Sequence, residues 1–169
     1  MRSDEESDFV DFMTSTTARF FRFAYLLTGD PHEAEELLQD AYVAVYGKWP
    51  HVQKEYEPSS YMYTTLRRKF INGRTVGFRR FEKITDRLPE VADEDHDISR
   101  LLDHDEVMNL LGALSEKQRY VVVARYFAGL KVREVAIAMS TSEGNVVQLT
   151  ARAYRLMRAV AEREGGHDE

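Results

Sequence analysis

Cations and aromatic side chains share one short window of the sequence, residues 66–81, which reads LRRKFINGRTVGFRRF. The cations in this window are Arg67, Arg68, Lys69, Arg74, Arg79 and Arg80. Phe70, Phe78 and Phe81 are interleaved with them, and no acidic residue interrupts the run. Cations bind the phosphate backbone of nucleic acids, and aromatic faces stack with unpaired bases. The window is therefore compatible with a nucleic-acid surface, and equally with a solvated basic helix face.

The distribution of charge along the chain makes this window an exception. The 169 residues carry a formal net charge of −6. Residues 61–84 contain seven Lys or Arg and one acid, whereas residues 1–60 contain five against twelve acids and residues 85–106 two against nine. Residues 107–169 are close to balanced, with nine against seven. Charge that is segregated in this way indicates separate surfaces for separate partners.

Residues for catalytic or metal chemistry are not found in a usable pattern. The chain has no cysteine, which excludes disulfides and thiolate metal sites. His32 and Glu33 lack the second histidine that a zinc-protease helix needs four residues on, because position 36 is glutamate. No glycine loop for phosphates and no nucleophile–base pair is present. We therefore expect no enzyme activity, no cofactor and no metal.

The hydrophobicity of the chain gives an expectation about its location. No apolar run approaches the roughly 20 residues that a membrane-spanning helix needs. The N-terminus, MRSDEESD, is acidic and polar, unlike a secretory signal peptide. We expect a folded cytoplasmic protein without membrane insertion.

The elements that would carry the basic window are predicted to be helices. A first helix is indicated by apolar residues at helical spacing: Phe9, Phe12, Met13, Phe20, Phe23, Ala24 and Leu27. Gly29 is placed to end it, and Asp30–Pro31 supplies an N-cap and a first-turn proline for the next helix. The apolar stripe of that second helix is Ala34, Leu37, Leu38, Ala41, Tyr42 and Val45. Residues 50–59 are predicted to be a loop, and a third helix to begin near Ser59 or Ser60.

The second half of the chain is also predicted to be helical, after an acidic linker at 85–104. Ser115 to Gln118 form a capping box that begins a helix, and Gly129 is placed to end it. A short helix at 131–139, a polar turn at 140–142 and a long last helix follow. The buried stripe of the last helix is predicted to be Val146, Leu149, Ala153, Leu156, Met157 and Val160. No strand with convincing alternation is found, so the predicted fold is all-α.

These last two helices have the arrangement of a helix-turn-helix unit, which places the start of its second helix in the DNA major groove. Ser142 opens that helix, and its polar face carries Asn145, Gln148, Arg152 and Arg155. The two amides suit base edges, and the arginines suit phosphates. A plain helical hairpin remains the alternative for this pattern alone.

Three sequence blocks together resemble the extracytoplasmic-function sigma factors, the small bacterial initiation factors that keep only sigma regions 2 and 4. The first block, DPHEAEELLQDAYVAVYGKW at 30–49, resembles the helix with which this family binds the β′ clamp helices of RNA polymerase. The second, SSYMYTTLRRKFINGR at 59–74, resembles the helix that recognises the −10 element and opens the strands. The third, at 111–160 and beginning LGALSEKQRYVVVARYFAGL, resembles the −35 module.

The resemblance implies two small helical domains, a region 2 module at 8–84 and a region 4 helix-turn-helix module at 105–163, joined by the acidic linker. It implies that core RNA polymerase, through its β′ clamp helices and β flap, and promoter DNA are partners, together with a possible anti-sigma factor. The core-binding residues would be Glu36, Gln39 and Asp40. The −10 residues would be Tyr61, Tyr63, Arg67, Arg68, Lys69, Asn72 and Arg74, with a flipped base held by the loop at 53–60. The −35 residues would be Ser142, Asn145, Gln148, Arg152 and Arg155.

The sequence departs from the family pattern at a few positions. Arg68 stands where members often carry asparagine, and Val147 and Leu149 stand where basic residues are usual. The rival interpretation is a stand-alone helix-turn-helix regulator with an N-terminal sensing or dimerising domain.

Overall fold

The structure is a computed structural model that describes residues 1–72 and 104–165. In the first range the helices are α1 (Ser3–Thr28), α2 (Pro31–Gly47), α3 (Trp49–Glu55) and α4 (Pro58–Asn72). In the second range they are α5 (His104–Gly112), α6 (Glu116–Val122), α7 (Val132–Met139) and α8 (Glu143–Gly165), with a π-helical segment at Val123–Phe127. All regular elements of these two ranges are helical, which confirms the predicted all-α fold. The predicted linker lies outside the described residues, apart from His104.

The junction between α1 and α2 follows the prediction from its residue types. Gly29 adopts a left-handed conformation with φ of 75°, and its N–H donates to the carbonyl of Tyr25 at 2.8 Å. A side chain with a Cβ is strained in this conformation, so glycine is suited to end α1 here. Asp30 accepts a hydrogen bond from the N–H of Glu33 at 3.0 Å, and Pro31 is the first residue of α2.

The predicted loop at 50–59 is wrong, because its first half is the short helix α3. Pro50 stands in the first turn of α3, where a missing N–H is tolerated. Trp49 and Val52 are buried, so packing holds a segment whose polar composition had indicated a loop. The next helix, α4, begins at Pro58, slightly earlier than predicted.

Aromatic packing forms the centre of the N-terminal module. The Phe9 ring lies 5.2 Å from that of Trp49 and 6.2 Å from that of Tyr42, both edge-on. The Tyr42 hydroxyl is hydrogen-bonded to the hydroxyl of Thr16 at 2.7 Å, so the buried phenol has a polar partner. Every residue of the predicted apolar stripe of α2 is buried. This packing fixes the opposite face of α2 toward the outside.

The C-terminal module carries the predicted caps and one unpredicted element. Ser115 accepts from the N–H of Gln118 at 3.2 Å, and the Gln118 side chain accepts from the N–H of Ser115 at 3.0 Å. The helix then widens into the π-helical segment before Gly129, whose φ is 71°. Leu156 was predicted to be buried but is exposed, since only part of the long α8 is covered by neighbouring helices.

The two modules pack against each other, and Arg119 lies at their contact. Its guanidinium donates to the carbonyl of Leu27 in α1 at 3.1 Å. Beside it, the buried ring of Tyr120 packs edge-on against Phe23 of α1 at 5.9 Å. Helix α7 lies against α4 in the same contact. In the two described ranges, no helix has the length and apolar character needed to cross a membrane.

Candidate nucleic-acid interface

Helix α4 carries the described part of the basic window, and its start is held by Glu57. The Glu57 carboxylate accepts from the N–H groups of Ser59 at 3.1 Å and Ser60 at 2.7 Å. Partial burial acts to raise the pKa of this carboxyl, but the two N–H donors and nearby Arg19 outweigh it and hold the pKa below its ordinary value. Arg19 also donates to the Ser59 hydroxyl at 2.9 Å. The first turn of α4 is therefore fixed to α1.

The predicted −10 cations differ in their surroundings. Arg68 and Lys69 are exposed on α4. Arg67 is half-buried, and its guanidinium lies 6.0 Å from the centre of the Tyr120 ring in the other module. Asn72 ends α4, and Arg74 lies outside the described residues.

The structure separates the two predicted −10 tyrosines. Tyr63 is only 5% exposed, and its ring packs edge-on against Phe20 and Phe23, both at 4.9 Å. Tyr61 is half-buried and contacts Tyr56 at 5.1 Å, and Tyr56 is 51% exposed. The ring of His51 lies 5.5 Å from that of Tyr56. In this arrangement of helices Tyr63 is a core residue, whereas His51, Tyr56 and Tyr61 form a surface aromatic cluster.

The predicted −35 residues lie together on the outer face at the start of α8. Ser142 accepts from the N–H of Asn145 at 3.1 Å and so caps the helix. The Asn145 amide donates to the hydroxyl of Thr141 at 2.9 Å, which ties this side chain to the turn. Gln148, Arg152 and Arg155 are all exposed. This face offers two amides, of which Asn145 is held by the turn, and two cations to a ligand that lies across the helix.

The predicted polymerase-binding residues are exposed on the outer face of α2. Glu36, Gln39 and Asp40 all lie on this face, and Glu36 pairs with His32 at 3.1 Å. Val43 lies on the same face and is 71% exposed. An apolar side chain beside carboxylates gives this surface both contact area and charge for a protein partner.

Comparison with known proteins identifies both modules. The family model described as "Sigma-70 region 2" matches residues 13–76, and the one described as "Sigma-70, region 4" matches residues 104–157. The RNA polymerase sigma-E factor of Streptomyces avermitilis is 32% identical over 161 residues, which cover 94% of this chain and 87% of that protein. The chain belongs to the sigma-70 family. The ECF sigma factor SigL of Mycobacterium tuberculosis is 26% identical, over 88% of this chain and 85% of that one.

The sigma-70 assignment agrees with the fold of a solved structure. The sigma factor RpoE of Bartonella quintana, crystallised with the anti-sigma factor NepR, superposes with a TM-score of 0.67 at 18% identity. The match covers 90% of this chain and 97% of that one. The two matched regions and the sigma-factor relatives, rather than this superposition, make the protein an extracytoplasmic-function sigma factor with a promoter-directing function. The rival stand-alone regulator is not favoured, because the N-terminal module is a sigma region 2.

Two features of this sigma factor were missed from sequence. Tyr56 joins the surface aromatic cluster; it lies within the loop at 53–60 that was expected to hold a flipped base, but it was not named itself because no helical face could be assigned to it there. Tyr46 is partly exposed near the predicted polymerase-binding face of α2, where its hydroxyl donates to Glu6 at 3.2 Å.

In this sigma factor, the helix-turn-helix module covers part of α4. A groove of about 120 Å³ lies between the two modules beside this contact. It is lined by Ser60, Tyr63 and Thr64 from α4 and by Leu130, Glu134, Ile137 and Ala138 from the other module. Arg68 and the surface aromatic cluster lie outside this groove.

Proposed function

We propose that this sigma factor binds core RNA polymerase through the outer face of α2 and positions promoter DNA with α4 and α8. The region 2 module extends over 8–84 and the region 4 module over 105–163. The protein acts by binding, with no catalytic step of its own, and works with the polymerase in the cytoplasm. The observation that carries the proposal is the presence of two exposed cationic helix faces in modules of regions 2 and 4.

The −10 element is held by the exposed side of α4 and the surface aromatic cluster. Arg68 and Lys69 contact phosphates, and Tyr61 with Tyr56 stacks on bases of the opened strand. Stacking on an aromatic ring contributes about 1–3 kcal/mol, which is comparable to the few kcal/mol that unstacking a flipped base costs. Arg67 and Tyr63 support this surface from beneath.

The −35 element is bound in the major groove by the start of α8. Arg152 and Arg155 contact phosphates and set the register of the helix, whereas Asn145 and Gln148 read base edges. The β flap of the polymerase contacts the same module. An anti-sigma factor is a further expected partner, because the related RpoE was crystallised with one.

The polymerase contact is tested by reversing charge on α2. Glu36→Lys combined with Asp40→Lys is expected to weaken binding to core polymerase about tenfold or more. The reason is that the two lysines would face, and be repelled by, the polymerase surface that is proposed to bind these acidic residues. The measurement is affinity for purified core enzyme, with helix content checked by circular dichroism. The matched control is Glu55→Lys with Glu162→Lys, which changes the net charge equally at exposed positions outside the α2 face. Equal affinity of the two double variants would contradict the assignment.

A further inference from the structure

Two apolar residues, Val147 and Leu149, stand near the start of α8, and packing inside the module accounts for only one of them. Leu149 is partly buried and packs against the core of the module. Val147 is 53% exposed, although its neighbour Val146 is completely buried. Packing therefore explains Leu149 but leaves Val147 without a role inside the fold.

Gly144 lies one helical turn before Val147, and the fold does not require a glycine there. Its conformation is an ordinary helical one, and a Cβ at this position would meet nothing closer than the Ser142 hydroxyl at 3.9 Å. Gly144 is the second residue of α8, and glycine is a poor helix former compared with alanine. A glycine retained on an open surface without an internal reason is suited to close approach of the backbone to a ligand.

The spacing places these residues on one face of α8. Gly144, Val147 and Ala151 follow each other at intervals of three and four residues, and all three are exposed. Gln148 flanks Val147 on the same outer side. A helix that lies in the major groove with this face inward offers a short apolar strip beside a polar reader.

The major groove offers one apolar group at base-pair edges, the C5-methyl group of thymine. We propose that Val147 recognises a thymine of the −35 element through contact with this methyl group, and that Gly144 lets the helix approach closely enough. The proposal rests on the proposed −35 role of α8 and adds one specificity-determining residue to it. Cationic side chains at position 147 would instead favour guanine, so Val147 shifts the preferred element toward A·T pairs.

Deoxyuridine gives a sharp test, because it differs from thymidine only in lacking the methyl group. The preferred −35 element is first selected with the reconstituted holoenzyme from promoters with a randomised −35 region. Each thymine of that element, on either strand, is then replaced by deoxyuridine, and promoter affinity is measured. At one position the wild type is expected to lose about fourfold, which is the effect of removing one buried methyl group at 25 °C.

The variant Val147→Ala identifies the side chain responsible. This variant is expected to bind the thymine promoter about as weakly as the wild type binds the deoxyuridine promoter. It is expected to lose little further affinity when that thymine is also replaced by deoxyuridine. Val10→Ala, at an exposed valine of α1, is expected to keep the full sensitivity to deoxyuridine. Gly144→Ala is expected to weaken −35 binding without removing the discrimination.

The outcomes distinguish this inference from the proposed function. A selected element without thymine, or a Val147→Ala variant that still responds fully to deoxyuridine, overturns the role of Val147 while leaving −35 recognition intact. A holoenzyme whose promoter affinity does not depend on the −35 sequence overturns the assignment of α8 itself, and the inference with it.

Discussion

Replacing Arg119 by methionine is expected to lower the free energy of unfolding by about 3 kcal/mol. The side chain is only 1% exposed and donates to the carbonyls of Leu111 at 3.0 Å and of Leu27 and Leu114 at 3.1 Å. Burial lowers the pKa of the Arg119 guanidinium to about 10, which still leaves it charged at neutral pH. Methionine preserves much of the apolar stem but removes all three donors.

The magnitude follows from which carbonyls lose their partner. The helical partner of Leu27 would be the N–H of residue 31, but Pro31 has none. The N–H of Gln118, which would serve Leu114, is donated to the capping serine of α6 instead. Each unsatisfied buried carbonyl costs about 1–3 kcal/mol, or about 2–6 kcal/mol for the two. The substitution also removes the cost of burying the charged guanidinium away from water. This gain offsets part of the loss and gives the expected value of about 3 kcal/mol.

The assay is urea denaturation of the full chain, monitored by far-ultraviolet circular dichroism. Free energies of unfolding are compared between variants that show the same dependence of this free energy on urea concentration. Lys117→Met is the matched control, since it removes a cation from the same helix at an exposed position. Arg119→Lys is expected to lie between the wild type and the methionine variant, because an ammonium cannot reach three carbonyls with the geometry of the guanidinium fork. A loss of unfolding free energy that lies within about 1 kcal/mol of the loss in the Lys117→Met control would refute the reasoning, because Arg119→Met would then behave like an ordinary surface substitution.

Further predictions concern the two DNA surfaces. Arg152→Ala is expected to weaken binding to promoters of every −35 sequence about equally, and to lower the slope of log affinity against log salt concentration by about one unit. Gln148→Ala is expected instead to relax discrimination by about 1–3 kcal/mol at one base pair. Competition binding at several salt concentrations distinguishes the two variants. Tyr61→Leu is expected to occupy closed complexes normally but form fewer open complexes, and a pre-melted −10 bubble rescues it in permanganate footprinting. Tyr63→Leu, at a buried ring, is expected to fail on both templates, and rescue of Tyr63→Leu alone would reverse these two roles.

Local features of the fold were predictable because the residues responsible are adjacent in sequence. Gly29, Asp30 and Ser115 act within a few residues of themselves, so their caps follow from residue type. The short helix α3 was missed because it depends on burial of Trp49 and Val52 by distant parts of the chain, which outweighs a polar composition. The π-helical segment was likewise not indicated by any residue type.

The candidate sites were predictable in outline but not in their surroundings. Helical periodicity separates the buried and exposed faces of α2, and Glu36 and Asp40 lie outside its predicted apolar stripe and are exposed in the structure. Periodicity does not show which side of α4 another module covers, and it therefore could not distinguish Tyr61 from Tyr63. The bond from Arg119 to Leu27 joins residues far apart in the chain, and no local pattern indicates it.

The most direct test of the central claim is transcription reconstituted from purified core RNA polymerase, this protein and a library of promoter fragments. A promoter-directing sigma factor is expected to give transcripts from defined start sites that share −10 and −35 elements. The same start sites are expected to be absent with core enzyme alone, and the protein alone to bind duplex DNA poorly. Transcription that does not depend on the protein, combined with tight binding of the isolated protein to duplex DNA, would contradict the account.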